Sequence, residues 1–212
     1  MPLDPAQFVD PDGPIARRLG DRFEPRPQQL EMIRAVQAAI ESRRSLLVEA
    51  GTGVGKSFGY LLPAIARIID GQQNNQRRRV VVSTHTIALQ EQLIEKDIPL
   101  LQAVVPQEFS AVLVKGRGNY LSKRRLARAW DRKASLFGDD VEVKSLETIA
   151  DWARDTADGT LATLPQLERM SVWDEARSDS EDCLGRRCPT YNDCFYQSAR
   201  RRATNADLRE MA

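Results

Sequence analysis

The 212-residue sequence predicts an α/β fold: a parallel sheet with flanking helices, followed by a mainly helical subdomain that contains the cysteines. Three observations carry this. Short apolar runs at 45–49, Val80–Ser83 and Ala111–Val114 alternate with helical patterns over 55–69 and 87–104, the order of a parallel sheet whose crossovers are helices. The first run leads straight into a glycine-rich turn. Beyond Lys115 the strand pattern stops, and all three cysteines fall within 183–194.

Each element has its own signal. Residues 1–22 hold four prolines and few periodic apolar positions, and read as an arm or a short lead-in helix. Pro27 can open a helix at its first turn, with Leu30, Ile33, Val36 and Ile40 on one face. The helix over 55–69 stops near Asp70 and Gly71, and a polar loop runs to Arg79. The helix over 87–104 carries an inward stripe that includes Leu93, Ile98 and Leu101. Basic residues dominate a helix at 120–133, and Leu146, Ile149 and Trp152 mark another over 145–157. Residues 158–182 read as loop, and a basic helical stretch follows the cysteines.

Composition narrows the function classes. Charged residues are 29%, with 31 basic against 30 acidic and a net charge of +1. That excludes a disordered charged tail and a globally basic packaging protein, so any nucleic-acid surface is local. No run approaches the roughly 18 apolar residues of a membrane span. The acidic, proline-rich start is unlike a signal peptide, and a cytoplasmic location is expected. An odd cysteine count argues against a disulfide framework and points to metal or cluster ligation.

The strongest motif is the run EAGTGVGKS at 49–57. It follows an apolar run and precedes a helix, the context of a Walker A loop. Gly51, Gly53 and Gly55 let the backbone N–H groups of Gly51, Thr52, Gly53, Val54 and Gly55 curl around phosphates at a helix N-terminus. Lys56 would pair with the β- and γ-phosphates of ATP, and Ser57 would hold Mg²⁺. The first position of the motif is Ala50 instead of glycine.

The same run resembles motif I of superfamily-two helicases, and three further segments resemble the XPD/DinG-like, iron–sulfur-type ATP-dependent DNA helicases. The run FEPRPQQLEM at 23–32 is similar to the adenine-contacting segment ahead of motif I, which implies roles for Arg26 and Gln29. The run STHTIALQEQL at 83–93 is similar to motif Ia, which implies DNA-backbone contacts from Thr84, Thr86 and Gln90. The run KGRGNYL at 115–121, with the later cysteine segment, is similar to the family's iron–sulfur insertion. The resemblance implies an incomplete RecA-like P-loop motor domain. By it, residues 1–22 are an N-terminal arm, 23–115 the first part of the motor domain, 116–202 the insertion and 203–212 a truncated return.

The implied [4Fe–4S] cluster is incomplete in its ligands. Cys183, Cys188 and Cys194 stand at spacings unlike a zinc ribbon, and Ser122 occupies the place of the expected fourth cysteine. A cluster with a non-cysteine fourth ligand, a metal-free domain and a three-cysteine zinc site are the open readings. Around them lie Lys115, Arg117, Lys123, Arg124, Arg125, Arg128, Arg132 and Lys133, interleaved with Tyr120, Trp130, Tyr191, Phe195 and Tyr196. Cations that neutralise phosphates and rings that stack on bases suit single-stranded or forked DNA, with Arg124 and Arg125 as candidate contacts.

A carboxylate pair after a strand and a second RecA-like domain are missing from this reading. The letters DEAR at 174–177 imitate the box but follow no buried strand, and are expected to be a helix cap and surface charges. The expected function is the N-terminal part of a DinG-type helicase that binds ATP, Mg²⁺ and DNA for 5′→3′ unwinding in repair or replication. The alternative is a non-catalytic ATP- and DNA-binding fragment. A monomer is expected.

Overall fold

The computed structural model describes residues 3–211; residues 1–2 and 212 of the domain ranges above lie outside the described residues. The chain divides into two units, one reaching to Leu113 and resuming at Asn205, the other spanning Val114–Thr204.

The first unit is built on a three-stranded sheet of β1 (Val80–Ser83), β2 (Ala111–Val114) and β3 (Leu208–Met211), in the order β1-β3-β2. β1 and β3 run parallel, with Val80 opposite Leu208 and Ser83 opposite Met211. The charged tail therefore supplies the central strand, which the sequence pattern did not predict. Its register is fixed by a clamp before the strand. The Asp207 carboxylate accepts from the Ser110 N–H at 3.0 Å and its hydroxyl at 2.7 Å. Ladder bonds on both sides satisfy the backbone whatever the side chains are.

The strand expected at 45–49 does not form. Those residues make no ladder, and Leu47 is 97% exposed. A short apolar run gains from strand geometry only through ladder bonds and burial, and no described strand pairs with this one.

Four helices of this unit follow the predicted pattern in outline. They are α1 (Pro14–Leu19), α2 (Pro27–Ser42), α3 (Lys56–Gln73) and the stretch after β1. α2 and α3 pack closely, since a Cβ on Gly59 would lie 2.7 Å from the Met32 sulfur. Their core joins Ile33, Leu61, Leu62, Ile65 and Ile68 to Leu93, Leu101 and Leu208. Phe8, Val9 and Ile15 enter the same core, so the stretch read as an arm or lead-in helix is packed.

The helix predicted over 87–104 is broken. α4 (Ile87–Gln92) passes into a π-helical turn at Leu93–Asp97, and α5 (Ile98–Val104) follows with a proline in its first turn. Pro99 has no N–H to give to the carbonyl four residues back, and a wider turn accommodates the defect.

The second unit holds α6 (Lys123–Asp131), α7 (Lys133–Leu136), α8 (Asp140–Asp155), α9 (Val172–Ala176) and the body of α10 (Phe195–Asn205). Leu121, Leu146, Ile149, Val172, Trp173 and Ala176 form its core. α8 starts earlier than its apolar pattern because Asp139 caps it. Asp139 accepts from the Glu142 N–H at 2.8 Å, and Glu142 accepts from the Gly138 N–H at 2.9 Å. Among the described residues no helix is long and apolar enough to cross a membrane.

Candidate functional site: a phosphate loop and a cysteine cavity

The glycine-rich turn enters α3 with Gly53 at φ +81° and Gly55 at φ +79°. This left-handed backbone suits glycine and turns successive N–H groups inward. Lys56 opens α3, and its ammonium donates back to the carbonyls of Ala50 at 3.1 Å and Gly51 at 2.7 Å. A lysine held over its own loop lies where an anion's charge would be met. The helix N-terminus behind it leaves N–H groups without intrahelical acceptors.

Gln29 and Arg26 sit beside this loop. Gln29 is buried, and its amide donates to the Gly55 carbonyl at 2.9 Å. A Cβ on Gly55 would lie 2.0 Å from that amide nitrogen and 3.6 Å from the Arg26 guanidinium. Arg26 pairs with Glu24 at 2.9 Å. A cavity of about 330 Å³ opens between α2 and the loop, lined in part by Met32, Val48, Gly51 and Val54.

Sequence reasoning missed the neighbours of Ser57. Asp97 and Tyr60 are both sensitive to the Ser57 hydroxyl, which lowers the pKa of each. Burial pushes the Asp97 carboxyl up, against the lowering effect of Ser57 and Gln92. Burial likewise raises Tyr60, with Ser57 acting against it. The readable signal was Asp97 two residues before Pro99, a helix-start pattern inside an assumed helix.

The segment after β1 divides its three candidates. Thr86 is exposed and caps α4, accepting from the Leu89 N–H at 3.3 Å. Thr84 donates to Glu210 on β3 at 3.2 Å. Gln90 is buried and turned inward, with both amide atoms unpartnered among the described residues. Glu210 is fully buried as well, and burial pushes its carboxyl up to about 7 while Thr84 pulls it down.

In the second unit Cys183, Cys188 and Cys194 line one cavity with Ser122, Arg117, Lys123 and Arg124. Its volume is about 30 Å³, room for roughly one or two waters. The Gly185 N–H and the Arg117 guanidinium draw the Cys183 thiol below its ordinary range. The Ser122 oxygen caps α6, accepting from the Arg125 N–H at 3.3 Å. Among the described residues no group of three or more His, Cys, Asp or Glu is disposed to hold a metal ion. These side chains share a cavity but do not fit a four-iron cluster as they stand.

The basic stretch is less open than its letters imply. Arg125 donates to Asp182 at 2.7 Å and to the carbonyls of Asp174 and Glu175, and Arg124 donates to the Asp182 carbonyl. The rings are occupied too: Arg117 lies over Tyr196 at 4.1 Å and Lys133 over Trp130 at 4.0 Å. Arg128 and Arg132 line a cavity of about 80 Å³ beside Arg125 and Leu136, and their guanidinium groups make no hydrogen bond or ion pair among the described residues. Asp174 and Glu175 lie in α9, and Asp174 pairs with Arg177 at 2.7 Å.

A glycine-rich loop that opens a helix in a unit with a parallel sheet is the arrangement of the P-loop class, and comparison with known families narrows it. The chain belongs to the DEAD/DEAH box helicase family, whose pattern matches residues 26–152. Within that family it is similar to the ATP-dependent DNA helicase YoaA of Escherichia coli K12, 36% identical over 202 residues, covering 93% of this chain and 29% of the relative. The ATP-dependent helicase DinG of Mycobacterium tuberculosis H37Ra is 35% identical over 196 residues, covering 85% of this chain and 29% of the relative. DinG of Photobacterium profundum is 31% identical over 201 residues, at 89% and 28% coverage. The chain thus spans under a third of the length of these relatives.

Proposed function

We propose that this chain binds ATP with Mg²⁺ and single-stranded or forked DNA, as the N-terminal part of a helicase that unwinds DNA 5′→3′ in repair or replication. The observation that carries the reading is the phosphate loop, with two left-handed glycines, Lys56 drawn across its carbonyls and Ser57 one residue into α3. On binding, Lys56 leaves Ala50 and Gly51 for the β- and γ-phosphates. Gly51 to Gly55 would supply N–H groups to the phosphates, and Ser57 would hold Mg²⁺, which would neutralise phosphate charge there. Gln29 keeps its amide on Gly55 and offers its carbonyl oxygen to an adenine amino group, beside Arg26.

For DNA, Thr86 is the best-placed member of its segment. Thr84 would have to leave Glu210, and Gln90 the interior, to join it. Arg128 and Arg132 are freer to neutralise phosphates than Arg124 and Arg125, which hold the cysteine loop. A cluster on Cys183, Cys188 and Cys194 rests on resemblance, and the small cavity and the capping role of Ser122 weigh against it. Iron analysis and visible absorption of anaerobically purified protein decide the matter.

A second reading, ATP and DNA binding without turnover by this chain alone, is favoured by one observation. The DEAR carboxylate pair lies on α9 of the second unit, and its Asp174 is paired with Arg177. ATP hydrolysis with and without single-stranded DNA separates the readings. Binding without turnover supports the second. DNA-stimulated turnover that is lost in Lys56→Ala supports the first.

A further inference from the structure

The run at 45–49 exposes what a folded chain usually covers. Leu47 is 97% exposed, Leu46 45% and Val48 39%. Among the described residues no hydrogen bond involves the backbone of 45–49. Open N–H and C=O groups on a row of exposed apolar residues are a template for strand pairing. The other open edge is β1, which ends the order β1-β3-β2 and leaves Val81 half exposed.

The charges at the two ends of the run select its partner. Arg43 and Arg44 precede it, Glu49 closes it, and 45–48 between them carries no charge. All three charged residues are exposed, and their side chains make no hydrogen bond or ion pair among the described residues. Two copies laid antiparallel bring the arginines of each to the glutamate of the other, once at each end. Laid parallel and in register, they bring arginine to arginine and glutamate to glutamate. Opposite charges across a strand pair stabilise it, and like charges destabilise it. A two-fold axis at Leu46 places Leu46 opposite its own copy, Ser45 opposite Leu47 and Arg44 opposite Val48. Glu49 then comes to Arg43, whose left-handed backbone at φ +54° bounds the ladder. We propose that 45–49 is a self-docking surface, through which two copies of this chain pair antiparallel and cover Leu46 and Leu47. The inference stands apart from the nucleotide reading and replaces the monomer expected from the sequence. So short a run makes a small interface, so the association is weak, on the order of micromolar to millimolar.

The test is sedimentation velocity of the full 212-residue chain across that range. The proteins are wild type, Leu47→Lys, Val81→Lys, Glu49→Arg, and the double variant Arg43→Glu with Arg44→Glu. Wild type and Val81→Lys should pass from monomer to dimer as concentration rises. Leu47→Lys should stay monomeric. Each charge-reversed protein alone should dimerise about tenfold more weakly, and an equal mixture of the two should recover, since opposite charges then meet at both ends. Wild type that stays monomeric, or that grows past the dimer, overturns the proposal. So does Leu47→Lys that dimerises like wild type, or a mixture that does not recover. Dispersal by Val81→Lys alone also overturns it, and places the contact on the β1 edge. Circular dichroism checks the fold of each variant. If Leu47→Lys does not fold, the charge-reversed proteins and their mixture decide by themselves.

Discussion

Gly53 and Gly55 share a left-handed backbone but not their surroundings. A Cβ on Gly53 meets nothing within 4 Å, whereas one on Gly55 meets the Gln29 amide nitrogen at 2.0 Å. Gly53→Ala should therefore lose only the backbone term, about 1–2 kcal/mol. Gly55→Ala should lose that and displace Gln29, and chemical denaturation should show it as the less stable of the two. Equal losses would mean that Gln29 does not sit under the loop. The motif at 49–57 made the loop legible, because glycine and lysine spacing is written locally. Gln29 was legible as a candidate but not as a partner of Gly55, since that contact joins residues 26 apart. Asp97 was hidden by the assumption of an unbroken helix through Pro99.

β3 is the element whose chemistry is least ordinary. It sits between β1 and β2 with Glu210 buried at its centre, the carboxyl raised to about 7 from an ordinary 4.5. A carboxyl with a higher pKa folded than unfolded binds its proton more tightly in the folded state. Its contribution to stability is complete below the unfolded value and is lost as pH rises through about 7. Asp97, also raised by burial, acts in the same direction. Thermal unfolding should therefore show stability falling from pH 4.5 to 7, with a shallower fall in Glu210→Gln. An unchanged slope in that variant would contradict the burial of Glu210.

The two apolar segments 45–49 and α3 give the converse case. Leu47 is almost wholly exposed and Leu62 fully buried. Leu47→Ser should change stability by less than about 0.5 kcal/mol, and Leu62→Ala should cost about 2–5 kcal/mol. Urea titration compares them directly. Hydrophobic letters alone gave both a buried place. Only the set of available strand partners tells them apart, and that is not a local property. The same reason concealed β3: its position between two strands, and not its side chains, makes it a strand.

At the scale of the molecule, the two units carry different kinds of contact. The nucleotide candidates cluster in the first, and the cysteines and the basic stretch in the second. The α/β class was visible in the alternation of strand and helix. The roles within the basic stretch were not, because charge counting cannot separate arginines that bind internal carbonyls from those without partners. Arg125→Ala should lower stability, by removing a guanidinium bonded to Asp182, Asp174 and Glu175. Arg128→Ala with Arg132→Ala should leave stability within about 0.5 kcal/mol, weaken single-strand binding and flatten its salt dependence. Anisotropy titrations at several salt concentrations check this, and an unchanged affinity in the double variant would remove these residues from the DNA path.

The phosphate loop at 49–57 is the proposed ATP site. Its most direct test is a calorimetric titration of Mg²⁺·ATP into the 212-residue chain beside Lys56→Ala. A charge-assisted contact of about 1.5–3 kcal/mol predicts at least tenfold weaker binding in the variant. Equal affinity in the two proteins, or no binding by the wild type, would contradict it.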